Sequence, residues 1–101
     1  MKNSLFGETE MAKRKETVTR VIDGDTFLTT ARKHSVRLAN VDAPEKGRRG
    51  DAKATSQLKS LIQGKKVSVH TVARDAYGRA VANVVVGKKS VNKAMSKNSR
   101  R

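Results

Sequence analysis

Short runs of alternating apolar and polar positions, broken by glycines and charged pairs, make up most of this chain. Residues 17–22 are rich in β-branched side chains and predict a strand, and the Asp23-Gly24 pair is a hairpin signal that returns the chain as a second strand over residues 26–30. Ala31-Arg32-Lys33 reads as another turn, and residues 34–41 as a third strand with Arg37 on the face opposite Val36 and Leu38. Pro44 ends that strand, and residues 45–50 form a basic, glycine-containing loop. Residues 51–63 predict a helix, because Ala54, Leu58, Leu61 and Ile62 fall on one helical stripe and Gly64 supplies the stop. Alternation then resumes over residues 66–72, with Val67, Val69 and Thr71 on one face and Ser68 and His70 on the other. A turn at 74–78, a fifth strand over 79–86 and a short helix over 91–97 complete the pattern.

Five short strands with a helix between the third and fourth fit a small closed barrel of the OB type, which leaves no exposed sheet edge. A flat α+β sandwich generates the same string, so periodicity alone keeps both open. No internal repeat is visible, and 101 residues suffice for one domain, here residues 16–101 behind a flexible basic arm at 1–15. Only 36% of residues are hydrophobic and Trp is absent, so the core rests on Val, Leu, Ile and Ala, and stability is expected to be marginal.

Charge changes the picture. Lys and Arg number 23 against 9 Asp and Glu, a formal net charge of +14, which favours a polyanionic partner such as nucleic acid. Residues 88–101 carry six basic residues and no acid, and read as a solvated charge run that raises non-specific affinity. The absence of cysteine excludes a disulfide frame, a thiolate metal site and a cysteine nucleophile. No apolar stretch approaches the roughly 20 residues of a membrane span, and residues 1–10 hold no sustained apolar segment of the secretory kind. The compartment is left open.

Against this basic background a few acids stand near arginines. Asp25 follows the Asp23-Gly24 turn, and Asp42 follows the third strand just before Ala43-Pro44-Glu45. Two carboxylates with the Ala43 carbonyl make an open oxygen set of the kind a hard dication takes. Glu45 is placed to accept a proton from an attacking water. Arg37 and Arg79 each offer a planar fork of donors that suits a phosphate. Tyr77 can pack against a base or sugar. Each piece also has a plain structural meaning: Asp-Gly is a common turn, and lone acids and arginines usually face water. His34 and His70 read as surface strand residues, with no further imidazole or thiol to complete a zinc site.

The segments Val21-Ile22-Asp23-Gly24-Asp25-Thr26, then Val36-Arg37-Leu38 with Val41-Asp42-Ala43-Pro44-Glu45, then Asp75-Ala76-Tyr77-Gly78-Arg79 resemble, in that order, the signature segments of the staphylococcal nuclease (thermonuclease) family. The resemblance runs from about Thr17 to about Met95. It implies an OB-type five-stranded barrel with a short C-terminal helix, and Ca²⁺-dependent cleavage of DNA and RNA to 3′-phosphate ends. Carried over, Asp25, Asp42 and the Ala43 carbonyl bind Ca²⁺, Glu45 is the general base, Arg37 and Arg79 clamp the phosphate, and Tyr77 contacts substrate. Asp23 and Asp75 match positions that shape turns. Ala43 stands where the family more often has threonine, which a carbonyl ligand does not need. The loop at 46–50 is short for the family, and the chain stops at Arg101 where relatives continue into a further helix. The expectation is a less stable monomer, or a homodimer that covers the exposed surface. A nucleic-acid-binding module of the same fold, without useful catalysis, is the alternative function, and a protein-interaction domain for acidic partners is a weaker one.

Overall fold

The structure, a computed structural model, describes residues 15–45 and 47–99, with side chains described as far as Ser96. Its elements are β1 (Lys15–Asp23), β2 (Thr26–Thr29), β3 (Val36–Leu38), α1 (Asp51–Ile62), β4 (Lys66–Arg74), β5 (Ala80–Val86), β6 (Lys89–Ser90) and α2 (Val91–Ser99). The expected arm at 1–15 lies outside the described residues apart from Lys15, which opens β1 and pairs with Ser68.

Antiparallel ladders join β1 to β2, β2 to β3, β4 to β5 and β1 to β4. The decisive pairing is parallel: Val36, Arg37 and Leu38 lie opposite Ala80, Val81 and Ala82. It joins β3 to β5 and closes five strands into a ring, the order of an OB-type domain, so the flat sandwich falls away. The core inside the ring holds Phe27, Leu38, Leu58, Ile62 and Met95 with Val18, Val36, Val41, Val67, Val84 and Val91, all fully buried. On α1, Ala54, Leu58 and Ile62 are buried, while Leu61 is only partly so.

Several expectations are corrected. The third strand is three residues, not eight. At its last residue the Leu38 N–H bonds the Asp25 carbonyl, beyond it the Ala39 N–H bonds that of Ala82, and Asn40 turns the chain at φ 60, a left-handed conformation that Asn enters more readily than most residues. Asp42 therefore stands on a loop, and Val41 reaches the core without belonging to a strand. His34 also precedes the strand, in the β2–β3 turn. β5 begins at Ala80, leaving Arg79 in the preceding turn.

The alternation of β4 fades after Val69: Thr71 is exposed, because the strand runs beyond the core into a projecting hairpin. Within the described residues the basic C-terminal run takes part in β6 and α2. Gly87-Lys88 turns β5 into β6, and the Ser90 hydroxyl accepts the Lys93 N–H at the start of α2. Buried Asn92 then accepts the Val84 N–H at 2.7 Å and donates to the carbonyls of Ala39 and Ala82 at 2.9 and 3.0 Å. One side chain thus fastens α2 across the end of the β3–β5 seam.

Candidate active site

The β1–β2 turn fixes the first acid. The Asp23 carboxylate accepts the Asp25 N–H at 3.2 Å, an Asx-type turn that points Asp25 inward. Gly24 in this turn lies against the helix: a Cβ there would stand 2.6 Å from the Ala54 Cβ and 2.8 Å from the Ala43 Cβ. The missing side chain lets the turn, the loop carrying Asp42 to Glu45, and α1 approach one another.

Asp25 is buried, with three donors on its carboxylate. The Thr26 hydroxyl donates to Oδ1 at 2.9 Å, the Ala43 N–H to Oδ2 at 3.4 Å, and Arg37 Nη2 stands 3.3 Å from Oδ2. Burial nevertheless raises its pKa above the usual 3.8, helped by the hydrogen bond and charge of Asp23, and the Thr26 and Arg37 contacts offset this only partly.

Arg37 leaves β3 on the face away from the core. Its guanidinium donates from Nη1 to the Leu38 carbonyl and from Nη2 to the Val41 carbonyl, each at 3.1 Å. A fork held at two carbonyls and one carboxylate is fixed in direction, which an ammonium on a flexible stem could not match. Arg79 is aimed from the hairpin before β5. The Asp75 carboxylate accepts its Nε–H at 2.6 Å and its backbone N–H at 2.9 Å, as well as the Tyr77 N–H at 3.0 Å. Gly78, at φ 85, supplies the left-handed residue that closes this turn. Asp75 thus shapes the turn, as expected, and also orients the arginine. Its pKa is lowered: what desolvation it has pushes the other way, and the Arg79 and Tyr77 hydrogen bonds outweigh it.

Asp25, Arg37, Asp42, Ala43, Glu45 and Arg79 line a single cleft of about 300 Å³, together with Asp23 and Pro44. Six of the seven residues singled out from the sequence therefore meet in one place. Tyr77 does not line it. The residue is 78% exposed, with the Arg79 guanidinium carbon 5.4 Å from the ring centroid in a cation–π arrangement. Asp42 and Glu45 are exposed at the mouth. Among the described residues, no group of three or more His, Cys, Asp and Glu side chains is arranged to hold a metal ion by itself.

A neighbouring hollow of about 450 Å³ shares Pro44 and Glu45 and adds Arg48 and Arg49. In the sequence those two arginines stand out only as part of a basic loop. The loop is folded by the Arg48 N–H on the Glu45 carbonyl and the Asp51 N–H on the Arg48 carbonyl, at 2.9 and 3.1 Å.

Residues 35–99 match the family described as staphylococcal nuclease homologue. An uncharacterized endonuclease of Escherichia coli O157:H7 is 42% identical over 69 residues, 66% of this chain and 45% of that protein. An uncharacterized endonuclease of Haemophilus influenzae is 37% identical over 83 residues, covering 79% and 47%. A micrococcal nuclease of Shigella flexneri is 38% identical over 69 residues, covering 66% and 40%. The chain spans about half the length of the curated relatives it matches.

Proposed function

We propose that this chain, which belongs to the staphylococcal nuclease family, hydrolyses phosphodiester bonds in DNA and RNA with Ca²⁺ as cofactor and leaves 3′-phosphate ends. The observation that carries the reading is the one cleft lined by four acids, Asp23, Asp25, Asp42 and Glu45, by Ala43 and by two arginines. Relatives named as endonucleases and a micrococcal nuclease support the reaction class. The net charge of +14 suits a nucleic-acid substrate. No helix among the described residues is long and apolar enough to cross a membrane.

The donor set fits a hard cation. Asp25 and Asp42 offer carboxylate oxygens and Ala43 a carbonyl, with no nitrogen or sulfur ligand beside them. The raised pKa of Asp25 marks a buried carboxylate that a dication would compensate. When bound, the cation supplies charge neutralisation at a phosphate oxygen and leaves coordination positions for water.

The remaining work falls to side chains. Arg37 and Arg79 hold the phosphate through forked hydrogen bonds and stabilise the charge that grows on its oxygens as the nucleophile adds. Their anchors, two carbonyls and Asp25 for Arg37 and Asp75 for Arg79, hold the donors in place before substrate arrives. Glu45, exposed at the mouth, accepts the proton of the attacking water. One arginine donates toward the leaving 5′ oxygen, so the phosphate stays on the 3′ side. Tyr77, with its face open and one side against Arg79, gives a base or sugar a surface for stacking.

The test is incubation of the purified chain with single-stranded DNA, in Ca²⁺ or in chelator, with analysis of product ends. Chelator-sensitive cleavage to 3′-phosphate ends is expected. Tight binding with no cleavage in any dication would replace this reading with a binding module of the same fold.

A further inference from the structure

A second cationic hollow lies on the Arg79 side of the cleft, and the proposed reaction does not use it. It has a volume of about 220 Å³ and is lined by Arg32, Lys33, His34, Arg74 and Ala80. The register of the ring builds it. Ala80 pairs with Arg74 across the antiparallel β4–β5 ladder and with Val36 across the parallel β3–β5 ladder. The β2–β3 turn and the end of β4 are therefore brought to the two flanks of one residue. A bulge between Thr71 and Ala73 shifts the register of β4 just before Arg74, the kind of irregularity that re-aims a side chain.

Arg32 and Arg74 are anchored. Arg32 is fixed to Glu16 by Nε and Nη2 at 2.8 and 2.7 Å. Arg74 Nη1 donates to the Gly78 carbonyl at 3.2 Å, and the His34 ring packs beside Gly78. Lys33 is exposed. Glu16 neutralises Arg32, but no carboxylate among the described residues lines the hollow opposite Lys33 and Arg74. The hollow and the catalytic cleft meet at consecutive residues: Ala80 lines the first and Arg79 the second. The Gly78 carbonyl that accepts from Arg74 directly precedes Arg79, so one turn anchors a cation of the hollow and an arginine of the cleft.

We propose that Lys33, His34 and Arg74 form a flanking subsite for a further backbone phosphate of the same nucleic-acid strand whose scissile phosphate sits between Arg37 and Arg79. The inference rests on the proposed nuclease reading for the direction of the strand. Its chemistry is that of any polyanion tracked by cations: Lys33 and Arg74 supply charge, and the His34 ring supplies N–H donor capacity. The subsite makes recognition depend on strand length, since a dinucleotide cannot fill both places.

The experiment measures binding in chelator, so that it is independent of cleavage. A fluorescent deoxyhexanucleotide and a dinucleotide are titrated against wild type, Lys33→Ala/Arg74→Ala, and Lys53→Ala/Lys59→Ala. The last pair removes the same charge from exposed positions on α1 and controls for bulk electrostatics. The Lys33/Arg74 variant is expected to bind the hexanucleotide about tenfold more weakly, with the slope of log K against log salt shallower by about 0.7 for each phosphate no longer neutralised. Dinucleotide affinity should change by less than about twofold. Equal losses in the two double variants, or equal losses on both probes, would overturn the subsite. Absence of cleavage in Ca²⁺ would overturn the nuclease reading while leaving the hexanucleotide comparison to stand or fall alone.

Discussion

Arg37 Nη2 stands 3.3 Å from Asp25 Oδ2, so the arginine proposed to grip the phosphate and the acid proposed to hold the cation are a contacting pair. The same nitrogen also donates to the Val41 carbonyl, and Nη1 to that of Leu38. Arg37→Lys keeps the charge and loses the fork. It is expected to lower kcat by about 100-fold, in the range seen when one preorganised donor is removed, with little change in the melting curve. A steady-state assay beside circular dichroism checks this, and turnover within about threefold of wild type would contradict it.

Gly24 allows the close approach on which the cleft depends. Gly24→Ala drives a methyl toward Ala54 and Ala43 at distances no pair of carbons tolerates. Overpacking of this kind costs about 1–3 kcal/mol, read from urea denaturation. Cleavage should fall by more than the loss of folded protein explains, because the displaced loop carries Asp42 and Glu45. A fully stable, fully active variant would show that the close approach is not needed.

Asn92 serves three backbone groups at once. Asn92→Ala leaves the Val84 N–H and the carbonyls of Ala39 and Ala82 without this partner at the junction of β3, β5 and α2. The expected loss is about 2 kcal/mol or more, since unpaired buried groups retain their full desolvation cost. Hydrogen exchange should show Val84 among the amides most affected. An unchanged Val84 amide would refute the assignment.

A partly buried ion pair, Glu16 with Arg32, gives the fold a pH dependence away from the cleft. Burial pushes Glu16 up, but the Arg32 and Thr29 hydrogen bonds and the Arg32 charge prevail, and its pKa is lowered from 4.5. A carboxylate depressed on folding contributes stability that is complete above its ordinary value and is lost as pH falls through the folded one. Wild type should therefore lose more stability than Glu16→Gln between about pH 6 and pH 3, with the two curves converging in acid. Urea midpoints across that range test it. Parallel curves would contradict the pairing.

The first hairpin, α1 and most of the cleft are legible in the sequence because each rests on local chemistry. Asp23-Gly24 is a turn pair, Ala54, Leu58 and Ile62 keep helical spacing, and the acids and arginines occur within short signature segments. The expected third strand overextends because apolar Ala39 and Val41 follow Leu38 in the sequence, although Asn40 turns the chain at φ 60 and breaks the alternation there. β6 leaves no trace in the pattern, since two residues carry no period. The Asp75–Arg79 bond depends on the left-handed Gly78 folding the hairpin back. The hollow around Ala80 depends on two ladders meeting at one residue, a relation set by tertiary pairing and not by spacing along the chain.

The central claim is that one cleft performs the hydrolysis with Glu45 as its base. Single-turnover cleavage of a single-stranded DNA at saturating Ca²⁺, run on wild type and Glu45→Gln with binding measured on the same preparations, tests it most directly. The account predicts a rate lower by about 100-fold or more with affinity within about threefold, as for loss of a general base. Equal rates in the two proteins would contradict it.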